Sequence, residues 1–321
     1  MKIFIRCVVA VLALVCQTTL FAQEWPNRTV RIVLPSPPGG GPDSVTRMVA
    51  ERLSKTWQQP IVIENKPGGS TRIGAETVAN SAPDGYSLLS TYGTHTMVKS
   101  LFSDTKYDPI GDFQAVVPFV RTEVVLVVNA ESPYQTLDEL VTAYKKQGRP
   151  LPYAHFGNGS TFHIYGLLLG QHAGIQMLPV AYKGEALQLN DLLGKQIESS
   201  FNSVSTALPQ IRAGKVRALA IIGSARSSVL ANVPTFPELG YSRLSKASWF
   251  GLLAPAKTPK PIIDKINADV VKILADPEIA KNLRERGLEP APSSPAEFQA
   301  SLNEEVPMWS KLVKEFGIKG N

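Results

Sequence analysis

Val30-Arg31-Ile32-Val33-Leu34-Pro35-Ser36-Pro37-Pro38-Gly39-Gly40-Gly41-Pro42-Asp43 is the stretch that decides the fold, because it runs a strand through three glycines into a helix. Its first five residues are apolar apart from Arg31, and Val30, Ile32 and Val33 are β-branched, as in a strand. From Ser44 to about Lys55 the spacing becomes helical. Glycine lets the backbone turn tightly and lets a ligand approach with no Cβ in the way. A helix start adds free N–H groups and partial positive charge, so the segment is a cradle for a carboxylate or phosphate. It lacks the Gly-Lys-Ser/Thr ending of a nucleotide-binding loop, and its spacing is not the Gly-x-Gly-x-x-Gly of dinucleotide folds. Asp43 fits two roles, helix cap or ligand contact.

A second junction repeats this logic: Tyr153-Ala154-His155-Phe156-Gly157-Asn158-Gly159-Ser160-Thr161, followed by a helix-like run over 162–171. Read alone, the two junctions fit either an opposed pair of anion sites or two ordinary turns. Around them, short apolar runs at 30–34, 61–63, 87–89, 124–128, 197–201, 218–222 and 250–253 alternate with longer segments of helical period. That alternation predicts an α/β fold on mostly parallel sheets, in which ligands bind beyond the carboxyl ends of strands. Thr136 with Glu139, and Ser294 with Glu297, have capping-box spacing, and Asp276-Pro277 is another helix start. Ile262, Ile266, Val270 and Ile273 mark the buried stripe of one helix. Pro83-Asp84-Gly85 sets a turn. No repeat, low-complexity tract or Ser/Gly linker interrupts the chain, so two domains would be joined by chain crossing directly near 116–128 and 249–253.

The chain has 321 residues, and residues 1–22 read as a secretory signal: Lys2 and Arg6, an apolar stretch from Cys7 to Val15, and a cleavage point after Ala22. That stretch is too short to span a bilayer. Val15 before Cys16 disfavours lipidation. Both cysteines lie in this segment, so the mature chain holds neither a disulfide nor a thiolate metal site. About 299 residues remain, enough for two domains, and the formal charge falls from +6 to +4. The basic excess is mild and scattered, which argues against a nucleic-acid partner.

Enzyme signatures are missing: no Gly-x-Ser-x-Gly, no His-Glu-x-x-His and no cysteine nucleophile. The spacing of His155 and His163 does not suit two ligands on one helix face, so no metal and no cofactor are expected. Trp249 precedes one expected domain crossing.

Eight segments in order then resemble one family. They are Trp25-Pro26 through the first glycine loop, Val62-Ile63-Glu64-Asn65-Lys66-Pro67-Gly68-Gly69, Ala82-Pro83-Asp84-Gly85-Tyr86, Gly157-Asn158-Gly159-Ser160, Ala181-Tyr182-Lys183-Gly184, Ala213-Gly214-Lys215-Val216-Arg217-Ala218-Leu219-Ala220, Val233-Pro234-Thr235 and Trp249-Phe250-Gly251-Leu252-Leu253-Ala254-Pro255. Together they resemble the Bug-type extracytoplasmic solute receptors of the tripartite tricarboxylate transporter class, over essentially all of the mature chain. The resemblance implies a two-domain Venus-flytrap fold, domain I being 23–121 and 250–321 and domain II being 122–249. It implies a periplasmic receptor, not an enzyme, that holds a small carboxylate and delivers it to membrane permease subunits; a monomer is the default expectation. Carried over residue by residue, the ligand-binding positions are Pro38, Gly39, Gly40 and Asp43 on one side and Asn158, Gly159, Ser160 and Thr161 on the other. His163, Tyr182 and Lys183 adjoin them, with Phe201 and Asn202 at the far end. Two departures stand out. Phe201-Asn202 replaces the Phe-Asp of many relatives, and Ser199 and Ser200 stand where acids often occur, so the expected wall is less anionic and suits a dicarboxylate or aromatic carboxylate better than an amino acid. Tyr92-Gly93-Thr94-His95 is also unusual, and His95 fits either an anion donor or a packing residue. A sensor that docks on a signalling protein would use the same closure as a transport receptor.

Overall fold

The computed structural model describes residues 25–320. In chain order its strands are β1 (Val30–Leu34), β2 (Ile61–Asn65), β3 (Ser87–Tyr92), β4 (Phe113–Thr122), β5 (Val124–Asn129), β6 (Leu151–His155), β7 (Met177–Ala181), β8 (Ser199–Ser203), β9 (Val216–Ile222), β10 (Ser248–Pro255) and β11 (Leu288–Pro290). They form two sheets, ordered β11-β4-β10-β3-β1-β2 and β7-β6-β8-β5-β9, each with its own packed helices. β1 lies inside its sheet, paired in parallel with both β2 and β3. That position explains its near-continuous apolar run, since Val30, Ile32, Val33 and Leu34 are all fully buried.

The α/β architecture on two sheets is as the sequence implies, but each sheet is mixed rather than mostly parallel. β10 runs antiparallel to β3 and β4, and β5 runs antiparallel to β8 and β9. The cause is the way the chain changes sheets. β4 passes into β5 through Glu123 alone, and β9 reaches β10 through the segment 223–247. A strand arriving from the other sheet has no crossover helix to restore a parallel direction. The two crossings lie side by side, with Thr122 paired opposite Ser248.

Helix starts follow the local signals closely. Ser294 and Glu297 form a complete capping box, and the Asp276 side chain accepts from Glu278 N and Ile279 N. Thr136 caps its helix, but Glu139 reaches past it to the amide of Gln135. The buried stripe of the helix Lys260–Leu274 begins at Ile263, with Ile262 only partly covered. The C-terminal helix Pro295–Glu315 joins the sheets on one side. Its Trp309 ring lies 6.0 Å from that of Tyr165, and its buried Glu305 accepts from Trp249 Nε1 at 2.9 Å and pairs with Lys246 at 3.2 Å.

Candidate ligand cleft between the two sheets

The first glycine loop leaves β1 and enters the helix Gly41–Trp57, whose N-cap is Gly40. Gly39 has φ +87°, a left-handed conformation that a side chain would strain. Asp43 is buried and accepts from Arg47 Nε and a second guanidinium nitrogen, from Asn65 Nδ2 at 2.9 Å and from Gly39 N at 3.1 Å. Burial pushes its carboxyl up, but the hydrogen bonds from Arg47, Asn65 and Gly39 and the Arg47 charge outweigh that and hold it below its ordinary value. Its oxygens are therefore committed to protein donors, and Asp43 braces the loop rather than offering itself to a ligand. The amides of Gly40, Gly41 and Asp43, at the helix start, have no acceptor among the described residues.

The second loop leaves β6 and enters the helix Thr161–Ala173, capped by Ser160, whose Oγ accepts from His163 N. Two histidines brace it. His155 and His163 stack with ring centroids 4.5 Å apart and planes 8° from parallel. His163 Nδ1 accepts from Gly159 N at 3.1 Å, which leaves the proton on Nε2 when the ring is neutral. Burial lowers both rings, His163 to about 4 and His155, with a further push from His163, to about 3. Because the Gly159 amide already serves His163 and the Ser160 amide serves Gly157 O, neither is free for a ligand in this arrangement. The amides of Asn158, Thr161 and Phe162 have no acceptor among the described residues.

Each loop touches segments of the other sheet across the seam. Ser70 Oγ donates to Asn158 O at 2.6 Å, and the Tyr92 and Phe156 rings are 5.8 Å apart, edge to face. A Cβ on Gly184 would lie 3.4 Å from Pro37 Cγ, one on Gly41 3.0 Å from Ser205 Oγ, and one on Gly93 3.6 Å from Thr161 Cγ2. At these points side chains of one segment lie against glycine backbone of the other. Two polar atoms of the surrounding turns, Thr71 Oγ1 and Thr94 Oγ1, are buried without a protein partner.

The remaining expected positions divide. Pro38 and Gly39 are exposed at the loop tip, and Lys183 is exposed beside Gly184. The Tyr182 hydroxyl donates to Asp191 and is pushed up to about 12 by burial and by that carboxylate, so its polar end turns away. Asn202 accepts from Ser200 Oγ and donates to the Glu185 carbonyl. His95 and Phe201 are corrections. His95 is fully buried between Tyr107 and Phe113, hydrogen-bonds the Pro109 carbonyl through Nε2 and is held down to about 4 by burial, so it packs. The Phe201 ring is a core residue against Tyr153, Tyr165 and Phe236.

Sequence reasoning missed Glu185, the first residue of the helix Glu185–Leu193. Its carboxylate accepts from Ser203 N and Ser203 Oγ, both at 2.7 Å. Burial pushes its carboxyl up against the pull of the hydrogen bonds from Ser203 and Thr206. The acid missing at position 202 is thus supplied from another element, at Glu185. The signal was present as an acid directly after Tyr182-Lys183-Gly184, and Ser203 marks a third strand-to-helix junction.

Residues 45–318 match the model of the tripartite tricarboxylate transporter family receptor. Protein BugT of Bordetella pertussis is 30% identical over 93% of this chain and 92% of its own length. The periplasmic binding protein BugD superposes with a TM-score of 0.85 at 33% identity, covering 92% of this chain and 99% of that one. An R. palustris protein solved with adipate superposes at 0.87 with 32% identity, over 92% of this chain and 99% of that one. The chain belongs to the tripartite tricarboxylate transporter receptor family, periplasmic solute-binding proteins rather than enzymes.

Proposed function

We propose that this receptor captures a small carboxylate between its two lobes and hands it to the membrane permease subunits of a tripartite tricarboxylate-type transporter, working as a monomer after export on the signal at residues 1–22, which lies outside the described residues. The lobes are 23–121 with 250–321, and 122–249. The observation that carries the reading is that two glycine-lined helix starts, at Gly40 and Ser160, follow strands of opposite sheets whose neighbouring segments touch at Ser70 and Asn158, at Pro37 and Gly184, and at Gly93 and Thr161. Free amides of Gly40, Gly41 and Asp43 on one side and of Asn158 and Thr161 on the other suit a carboxylate, with Thr94 Oγ1 as a further polar contact. Main-chain binding with bridging water leaves little trace in side-chain choice, so the sequence is quiet about the rest of the ligand. A dicarboxylate or aromatic carboxylate follows from Ser199, Ser200 and Asn202 alone, and the balance turns on Glu185.

The reading is tested by mass spectrometry of small molecules that co-purify with the protein, together with a thermal-shift screen of carboxylates. A ligand at a hundred times its dissociation constant adds about 2.7 kcal/mol. Absence of any carboxylate that stabilises the protein would defeat it.

A further inference from the structure

Glu185 sits where one lobe closes on the other. The preceding Gly184 abuts Pro37 of the first glycine loop, at 3.4 Å for a Cβ built on it. From the carboxylate a hydroxyl chain runs through Ser203 Oγ, 2.7 Å away, to Ser205 Oγ, 3.1 Å further, and a Cβ on Gly41 would lie 3.0 Å from that oxygen. The charge of Glu185 also acts on Tyr92 of the opposite lobe, raising a hydroxyl already raised by burial, and that hydroxyl donates to Pro35 O in the same loop. The carboxylate thus lies close to the seam, with the first loop and Tyr92 on its other side.

Its partners account for only part of its hydrogen-bonding capacity. The Ser203 amide and hydroxyl both donate to Oε2, and the Thr206 hydroxyl is a further uncharged donor. No lysine, arginine or histidine neutralises it among the described residues, and the nearest cation in sequence, Lys183, is exposed and forms no ion pair there. A half-buried carboxylate held by uncharged donors is an acceptor that lacks a cation. It also fills the start of the helix Val204–Arg212, through the Ser203 amide, with a charge belonging to the protein itself. A second ionised carboxylate brought beside it would meet like charge in a water-poor cleft.

We infer that Glu185 is the specificity-determining residue for the far end of the ligand, selecting a carboxylate whose other end donates a hydrogen bond through a hydroxyl, amide or ammonium group over one that ends in a second ionised carboxylate. This rests on the cleft reading above and narrows it. A hydroxylated aromatic carboxylate satisfies both.

The test is calorimetric titration of the purified, ligand-stripped protein with three length-matched pairs: 4-aminobutyrate against succinate, 6-aminohexanoate against adipate, and 4-hydroxybenzoate against terephthalate. In whichever pair fits the cleft, the donor-ended member binds the native protein at least tenfold more tightly, and Glu185→Gln brings the two within about threefold by strengthening the dicarboxylate and weakening its partner. Glu185→Asp keeps the charge and retains the preference, which guards against a variant that is merely damaged, and unchanged melting of the unliganded proteins checks folding. A dicarboxylate that binds the native protein more tightly, or a donor preference that survives Glu185→Gln, overturns the inference while leaving a carboxylate receptor standing. If no carboxylate, in these pairs or in the wider screen, binds either the native protein or the variants, both readings fail together.

Discussion

The two glycine loops occupy equivalent places in their sheets and are braced by opposite chemistry. Around the first, a buried carboxylate is held by a guanidinium and an amide: Asp43 with Arg47 and Asn65. Around the second, two stacked neutral imidazoles do the work, and the Gly159 amide is consumed by one of them. A charged brace survives until its carboxylate is protonated, whereas a neutral histidine brace weakens as soon as protonation of the unfolded chain becomes favourable. The loops should therefore fail under different stresses, and the difference separates the part of the cleft that holds its shape from the part that responds.

Acid should produce the largest effect. The ordinary imidazole value is about 6.5, and burial lowers His155 to about 3 and His163 to about 4. Between these limits the unfolded chain binds protons that the folded one refuses, so stability is lost as pH falls from about 6.5 toward 4, by up to about 2 kcal/mol per histidine at pH 5. His95, lowered to about 4, adds to the slope from the first lobe. Urea titrations at pH 7, 6 and 5 should show a falling midpoint. The double variant His155→Asn, His163→Asn should remove most of the slope, leaving that of His95, because an asparagine oxygen still accepts from Gly159 without a titrating ring. An unchanged slope would mean that the histidine pair is not held neutral.

Next in size is Gly159→Ala. Gly159 has φ +74°, and a Cβ there would clash with Leu101, a buried side chain of the segment that follows β3. Left-handed strain and a displaced core side chain together cost about 2–4 kcal/mol, and since the clash lies across the seam, carboxylate affinity should drop at least tenfold. Asp43→Asn comes third. It removes the acceptor shared by Gly39 and Arg47, a loss of about 1.5–3 kcal/mol by thermal melting. The Asp43 pKa is lowered by folding, so its contribution persists above the ordinary carboxylate value and disappears only as pH falls through the folded one. Between pH 5 and 7 the penalty of Asp43→Asn should stay constant, in contrast to the histidine pair.

What could be read from sequence, and what could not, follows from the range of the interactions. The glycine loop after β1, the Ser294–Glu297 capping box and the strand core at 124–128 rest on contacts within a few residues, and each stands in the structure. The antiparallel course of β10 and β5 depends on where the chain crosses between sheets, which no local pattern records. The same reason hid Glu185, whose partner Ser203 is 18 residues away. His95 misled because its neighbours in sequence are polar while its neighbours in space are Tyr107 and Phe113. Reading charge from Asn202 alone missed the acid that a separate helix places beside Ser203.

The smallest expected effect gives the sharpest contrast between the loops. Gly39 has φ +87°, as strained for alanine as Gly159, but nothing lies within 4 Å of the Cβ that Gly39→Ala would add. The substitution therefore carries the backbone penalty of about 1–2 kcal/mol without a clash. Gly40 and Gly41, whose amides face the ligand in the proposed cleft, keep their conformations, so affinity for a carboxylate should stay within about threefold of the native protein. Measuring Gly39→Ala and Gly159→Ala side by side for melting and ligand affinity separates strain from closure, because strain is common to both and contact with the opposite lobe belongs to one. If Gly39→Ala lost affinity as steeply as Gly159→Ala, the first loop would have to move on binding, and its Asp43–Arg47 brace would be part of the closing motion rather than the fixed side of the cleft.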